Sequence, residues 1–313
     1  MQSGRKLPAI YISLVVLFML VLILFVGNPN FLSIYNLKTI ANATAILLAV
    51  GLGQALVILT GGVDLSVGGI ISLISVIYIL SLTKFGLLGF PITLIMAGAM
   101  GVVNGLIFTK LRIPSFVATL GTGGIYTSLT FLLSRAPLPA PANIYRHLDV
   151  VNGSILGIKN SWIIALAVFI GYVIIQKYTY LGRTIYAIGS NEKMSWMSGI
   201  NIDRAKLLAF VLSGLGAGVS GMILSSNLYS GHALFGEVYI LQSIAVVVVG
   251  GTALTGGAGG MLNTLVGALI LSVIKNGMTV VGIDVYAQQM ILGILIVVAV
   301  AITFDRSKLI IIK

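Results

Sequence analysis

The chain is 313 residues long, 58% hydrophobic and only 8% charged, with no cysteine and a formal net charge of +11. A soluble globular domain carries about one quarter charged residues, so this composition excludes an ordinary water-soluble fold, and the lack of cysteine excludes a disulfide framework or a thiolate metal site. The positive charge reads as Lys and Arg gathered at cytoplasmic helix ends rather than as a nucleic-acid footprint.

At the start of the chain, Arg5 and Lys6 precede an apolar run from Ala9 to Val26. A signal peptide begins this way, but Gly27-Asn28-Pro29 follows in place of a small-residue cleavage site, so the run is read as an uncleaved first span. Backbone polar groups in lipid must be satisfied within their own segment, so the spans should be helices. About ten are expected from the lengths a bilayer requires, at 9–27, 40–60, 66–83, 86–109, 115–134, 161–176, 207–229, 238–254, 262–281 and 286–304. The longest stretch outside them, Arg135 to Asn160, is too short to build a core of its own. The whole of 1–313 therefore reads as a single all-α, polytopic transmembrane domain.

Basic residues set the orientation. Arg5, Lys6, Lys110, Arg112, Lys177, Arg183, Lys193, Arg204, Lys206, Arg306, Lys308 and Lys313 fall on one side, and Lys38, Lys84, Arg135, Arg146 and Lys159 on the other. The positive-inside bias places the first group, and both termini, in the cytoplasm. A weak internal repeat also shows. Asn104-Gly105 opens a stretch ending at Leu120-Gly121, and Asn276-Gly277 opens one of equal length ending at Leu292-Gly293. Upstream, Thr60-Gly61-Gly62 has an echo in Val249-Gly250-Gly251. Two five-span halves with the second inverted would place a binding site near the midplane between them.

Three stretches carry chemistry. In Thr60-Gly-Gly-Val-Asp-Leu-Ser-Val-Gly-Gly69, Asp64 stands in apolar surroundings, and a carboxylate there needs partners or a wet cavity. Either Asp64 caps the helix beginning near Leu65, at the positive end of its dipole, or it touches a solute or ion; the two are compatible. The second stretch, Gly250 to Gly260, has enough glycine for close backbone approach or for a break inside the membrane. No Gly-Lys-Ser/Thr follows, so it is not a phosphate-binding loop. Thr252 and Thr255 either face a cavity or bond back to their own helix. In the third, Lys177 to Lys206, the spacing of Met194, Trp196, Met197 and Ile200 predicts a short amphipathic helix ending at Gly199. It either docks a soluble partner through Trp196 and Met197 or lies flat on anionic lipid.

At these stretches the chain resembles the ribose-type sugar permeases of bacterial ABC importers, the branch that includes ribose, xylose, arabinose and autoinducer-2 systems. The resemblance rests on Thr-Gly-Gly-Val-Asp-Leu-Ser-Val-Gly at 60–68, on Leu181 through Asn191 followed by Ser198-Gly-Ile-Asn201, on Ala245 through Thr252 with the glycines beyond, and on Asn276-Gly277. It covers nearly the whole chain. It implies a non-catalytic membrane subunit in the bacterial inner membrane, moving a sugar by alternating access. The implied partners are a second permease copy, identical or not, an ABC ATPase on the inner face and an extracytoplasmic sugar-binding protein. ATP and Mg would be bound by the ATPase, with no cofactor in this chain, which has no Walker lysine. By the same resemblance, residues 191–200 form the segment that rests on the ATPase, with Asn191, Glu192, Lys193, Trp196, Met197 and Gly199 as its coupling residues.

Two departures stand out. Met194-Ser195 replaces the family's usual paired alanines, and Ile240-Leu241-Gln242 replaces a frequent Glu-Leu-Asp. The second removes two charges near the outer mouth and leaves open both the sugar and a pairing with a non-identical permease. A sugar cannot partition into lipid, so its pathway needs polar groups. Thr60, Asp64, Ser66, Asn104, Thr119 and Asn276 are the candidates, because polar side chains in spans face cavities or neighbouring helices; helix packing is their competing role. The rival function is an ion-coupled carrier of a small polar solute with Asp64 as its coupling carboxylate. A passive facilitator is a third reading. An intramembrane enzyme lacks support, since His147 and His232 sit in outer segments without metal-like spacing.

Overall fold

The computed structural model describes residues 9–303. Its helices are α1 (Ala9–Gly27), α2 (Ile34–Leu59), α3 (Val67–Phe85), α4 (Gly89–Lys110), α5 (Ser115–Leu133), α6 (Tyr145–Asn152), α7 (Asn160–Tyr178), α8 (Tyr180–Ser190), α9 (Glu192–Met197), α10 (Ile202–Leu228), α11 (Glu237–Val249), α12 (Met261–Val280) and α13 (Val285–Thr303). The expected spans fall on α1 to α5, α7 and α10 to α13. Seven helical stretches among the described residues are long and apolar enough to cross a membrane, one of them being the α3–α4 pair, Val67–Lys110; shorter apolar stretches lie at Glu237–Val249 and Val285–Leu295. Arg5, Lys6, Arg306, Lys308 and Lys313, part of the orientation argument, lie outside the described residues.

The molecule is built around α2 and α10. From Thr44 to Leu59 every residue of α2 is buried, as expected of a helix apolar all round. Small residues let α10 lie against it. A methyl group on Gly53 would come within 2.7 Å of the Ser213 Cα, and one on Gly216 within 2.5 Å of the Ala49 carbonyl oxygen. On its other side α10 meets α4, where a methyl on Gly105 would approach the Leu207 Cα to 2.9 Å and one on Gly214 the Gly101 amide to 3.0 Å. Close backbone packing of this kind replaces hydrophobic drive between helices in lipid. The packing is reciprocal: α10 packs on α3 and α4, and α2 on α11 and α12, while α5 lies against α3 and α13 against α11. Two halves exchanging their central helices give this pattern. Asn104 on α4 and Asn276 on α12 occupy matching places in it. The Thr60 and Val249 echo does not: the first ends α2, the second ends α11, which are not equivalent helices.

Three boundaries differ from expectation. Ser33 starts α2 six residues early by accepting the Asn36 N–H, and Asn201 starts α10 five residues early by accepting the Arg204 N–H. Helix α11 stops at Val249 because Gly251 takes φ +97°. The outer segment 135–160 contributes α6, whose Leu148 and Val151 are buried, a strand pair joining Leu138–Pro139 to Ser230–Gly231, and a hairpin, Ser154–Ile155 with Ile158–Lys159. Leu156 and Gly157 at the hairpin tip both have positive φ, the geometry of a tight primed turn.

A buried polar crossing and an exposed short helix

Between α2 and α3 the chain leaves helical form over Thr60 to Ser66, with Gly61 at φ +81°. Non-helical backbone at membrane depth survives only where neighbours satisfy it, and α5 supplies that. Ser115 Oγ accepts the Val63 N–H at 3.1 Å, and Thr119 Oγ1 accepts the Leu65 N–H at 2.9 Å while donating to the Ser115 carbonyl at 2.8 Å. Asp64 is fully buried. Its Oδ1 accepts the Ser66 N–H at 2.9 Å and the Ser66 hydroxyl at 2.6 Å, and its Oδ2 accepts the Ser213 hydroxyl at 2.8 Å. Asn104 donates to Ser66 Oγ at 2.7 Å and accepts the Tyr126 hydroxyl at 3.4 Å. One carboxylate thus ties the interrupted segment to α10, and through Ser66 to α4 and α5.

Of the six pathway candidates, Asp64, Ser66, Asn104 and Thr119 come together here, all fully buried. Thr60 sits at the edge, its hydroxyl donating to the Val57 carbonyl at 2.7 Å. Asn276 stands apart: its amide exchanges hydrogen bonds with that of Asn36, at 2.8 and 2.9 Å, joining α12 to the start of α2. Asp64 is an anchor rather than the cap of α3: Ser66 holds the N-cap position without a side-chain cap, and the only backbone N–H that Asp64 accepts is that of Ser66 itself. Ser213 was not among the candidates. The polar-in-a-span criterion that selected Asn104 applies to it equally, but many serines and threonines in this chain meet that criterion. Ser115 was missed although it opens the expected span 115–134, because a serine in the first turn reads as part of a helix start rather than as a partner for another segment.

The two glycine breaks touch each other. Gly257 donates its N–H to the Leu59 carbonyl at 3.0 Å, and a methyl on Gly256 would come within 2.9 Å of the Gly61 amide. Thr252 bonds within its own loop: its fully buried hydroxyl oxygen accepts the Gly260 N–H at 3.1 Å and closes the loop on itself. The loop is also pinned from α7 and α8. Gln176 donates to the Tyr186 hydroxyl and accepts the Met261 N–H, and Tyr186 in turn donates to the Gly259 carbonyl. Burial holds the Tyr186 phenol above its ordinary range, partly offset by the Gln176 hydrogen bond, so it remains a neutral donor. Thr255, with Thr60, Ser115, Ser190 and Asn191, lines a cleft of ≈ 490 Å³.

The loop from Lys177 folds as α8 and then α9, the second being the short helix the spacing predicts. Asn191 caps α9 by accepting the Met194 N–H at 3.0 Å, and Gly199 lies just past its end at φ +79°. Met194, Trp196 and Met197 are 58%, 69% and 66% exposed. Lys193 lines a larger cleft of ≈ 990 Å³ between α9 and the α4–α5 turn. Helix α8 was not anticipated. Its Gly189 lies so close to the Leu59 carbonyl and the Gly257 amide that no side chain fits.

A family model described as branched-chain amino acid transport system / permease component matches residues 36–300. The ribose import permease RbsC of Bacillus subtilis (strain 168) is 36% identical over 298 residues, covering 93% of this chain and 91% of that protein. The ribose import permease RbsC of Escherichia coli (strain K12) is 34% identical over 303 residues, 95% and 93% of the two chains. The D-allose transport system permease AlsC of the same strain is 31% identical over 286 residues, 89% and 86%. Among solved structures, an inward-facing metal-chelate type ABC transporter aligns with a TM-score of 0.53 at 17% identity, covering 95% of this chain and 99% of the other; that likeness speaks to the fold. The described helices, the motifs at 60–68 and 181–201 and these matches make the chain a member of the ribose-type ABC importer permease family, a multi-pass membrane protein.

Proposed function

We propose that this chain is the gate of an importer for ribose or a related monosaccharide, working as a dimer of permeases in the bacterial inner membrane. An ABC ATPase binding ATP and Mg drives it from the cytoplasm, and an extracytoplasmic binding protein supplies the sugar. The observation that carries the reading is α9: a capped helix outside the spans that exposes Met194, Trp196 and Met197. A large apolar group left in water on such a helix fits a protein interface. Asn191 and Gly199 fix the helix ends, and Glu192 and Lys193 give it a polar edge.

The route inward is mechanical. Helix α8 joins α9 and wedges Gly189 between the end of α2 and the loop ahead of α12. A pull on α9 would shift Leu59 to Gly61 against Gly256 and Gly257, and so alter the cleft lined by Thr60, Ser115 and Thr255. Solute would pass along the seam of the dimer, with Thr60, Asp64, Ser66, Asn104 and Thr119 forming the polar wall nearest that cleft. In the present conformation Asp64, Ser66 and Asn104 are engaged with one another and the Thr60 and Thr119 hydroxyls with backbone groups, so the wall supports the pathway while tight recognition is left to the binding protein. The relatives named for ribose and allose support a monosaccharide cargo. For the ion-coupled alternative, both Asp64 oxygens are already occupied by hydroxyl and amide donors, which speaks against a carboxylate free to trade an ion.

The test is uptake of radiolabelled ribose and allose by proteoliposomes containing this chain with and without its ATPase and binding protein. The expected result is accumulation that needs both partners and ATP and survives an ionophore. Accumulation by the chain alone, abolished by an ionophore, overturns the reading in favour of the ion-coupled carrier.

A further inference from the structure

The only ion pair among the described residues joins the docking helix to a span. Lys206 Nζ lies 2.8 Å from Glu192 Oε1, with the lysine side chain 12% exposed and the glutamate 54%. The same ammonium sits 5.0 Å from the centre of the Phe108 ring, a cation–π distance. Phe108 meets Phe210 edge to face, with ring centres 5.5 Å apart. Thus α9, α10 and α4 converge on one side chain, Lys206, at the foot of α10.

The spacing along α10 gives that foot a destination. Lys206, Phe210 and Ser213 follow at i, i+4 and i+7, one stripe of a helix. Phe210 is fully buried, and Ser213 holds the Asp64 carboxylate at 2.8 Å. The helix between them is backed by α4 with little side-chain volume in between, at Gly101, Gly105 and Gly214. A displacement at Lys206 is therefore passed along a stiff rod to Ser213 rather than absorbed by rotamers.

Resting on the reading of α9 as the ATPase-bound helix, we propose that Glu192 and Lys206, with Phe108 as backing, form a positioning clasp that transmits movement of α9 through α10 to Asp64 at the break between α2 and α3. The pair touches no solute, and its role is to keep ATP hydrolysis and gate movement in step. A second path, through Gly189, reaches Leu59 from the other side, so the end of α2 and the carboxylate beyond it are addressed together.

The test uses the assembled transporter, permease with ATPase and binding protein, in proteoliposomes. It compares Glu192→Gln, Lys206→Met and the exchange Glu192→Lys with Lys206→Glu, reading retained ATPase, ATP hydrolysis and radiolabelled ribose uptake. Lys206→Met, at a residue outside the docking segment, should retain the ATPase within about twofold and hydrolyse ATP, yet spend at least about fivefold more ATP per ribose, near 1 kcal/mol when converted by RT; Glu192→Gln should raise the same ratio per bound ATPase. The exchange restores the ion pair but not the ammonium over the Phe108 ring, so it should return that ratio part of the way toward wild type, to about the value of the Phe108 variant below. Phe108→Leu, which removes the ring face but keeps an apolar side chain, should give an intermediate ratio and covers the case in which a charge variant fails to fold. Single variants with a wild-type ratio, an exchange no better than they are, or loss of the ATPase from the Lys206→Met complex each overturn the clasp. A wild-type complex in which ATP drives no ribose uptake overturns the proposed function, and the clasp with it.

Discussion

Asp64 has three donors and no cation among its described partners, so its worth lies in geometry. Removing it as Asp64→Ala leaves the Ser66 N–H and the Ser66 and Ser213 hydroxyls without their acceptor in a buried site. Each unsatisfied buried polar group costs about 1–3 kcal/mol, so the expected loss is about 3 kcal/mol or more, read as a clear fall in the thermal unfolding midpoint in detergent. Asp64→Asn should cost only about 1 kcal/mol. Its carbonyl keeps both Ser66 donors, and the Ser213 hydroxyl can rotate to accept from the amide. The Asn variant should also transport, because an anchor tolerates an amide where an ion-coupling carboxylate does not. A fully inactive but stable Asn variant would remove the anchor reading. Gln54 offers the opposite case. It is fully buried on α2, and neither amide atom has a hydrogen-bond partner. Gln54→Met keeps the shape and removes the unpaired polar atoms, so it should raise the unfolding midpoint, by about 1–3 kcal/mol of stability. No rise would mean that the amide is satisfied in solution by something other than the helices around it.

Among the elements, α8 converts a motif into a mechanism. Any side chain at residue 189 meets the Leu59 carbonyl and the Gly257 amide, both of them backbone atoms that cannot swing aside. Gly189→Ala should cost about 1–3 kcal/mol, the range for overpacking, and should raise the ATP spent per ribose while α9, whose exposed face is untouched, still binds the ATPase. Measuring both in one preparation checks this; loss of ATPase binding would count against it. The sequence made α9 visible, through apolar residues at helical spacing and a terminal glycine, because its signals are local. It made the spans visible for the same reason. It did not reveal α8 as a separate helix, since α7 runs almost directly into it across Thr179. Nor could it show that the glycines near 61 and 256 meet each other, since their contact spans nearly two hundred residues. Asn104 and Asn276 make the same point. They hold equivalent places in the two halves, yet one joins the Asp64 network and the other clamps α12 to α2. Internal repetition fixes where a side chain stands, and its neighbours decide what it does.

For the molecule as a whole, orientation is the property on which every other assignment depends, because it decides which face meets the ATPase. The described basic residues Lys110, Arg112, Lys177, Arg183, Lys193, Arg204 and Lys206 cluster with α9, whereas Lys38, Lys84, Arg135, Arg146 and Lys159 lie toward the face that carries α6 and the hairpin. Lys and Arg near span ends bias those loops to the cytoplasm, so α9 is expected inside and the hairpin outside. The natural chain has no cysteine, so single cysteines can report this without background. Leu156 at the hairpin tip is 98% exposed and Met197 on α9 is 66% exposed; neither packs in the core, and replacing an exposed residue of this kind shifts stability by only about 0.5 kcal/mol. In intact cells with the outer barrier opened, a membrane-impermeant maleimide should label Leu156→Cys at once and Met197→Cys only after the inner membrane is permeabilised. Coexpression with the ATPase should then slow labelling at Met197→Cys and leave Leu156→Cys unchanged, since the partner covers one face only. Labelling in the reverse order would place α9 outside, where no nucleotide-driven partner could reach it.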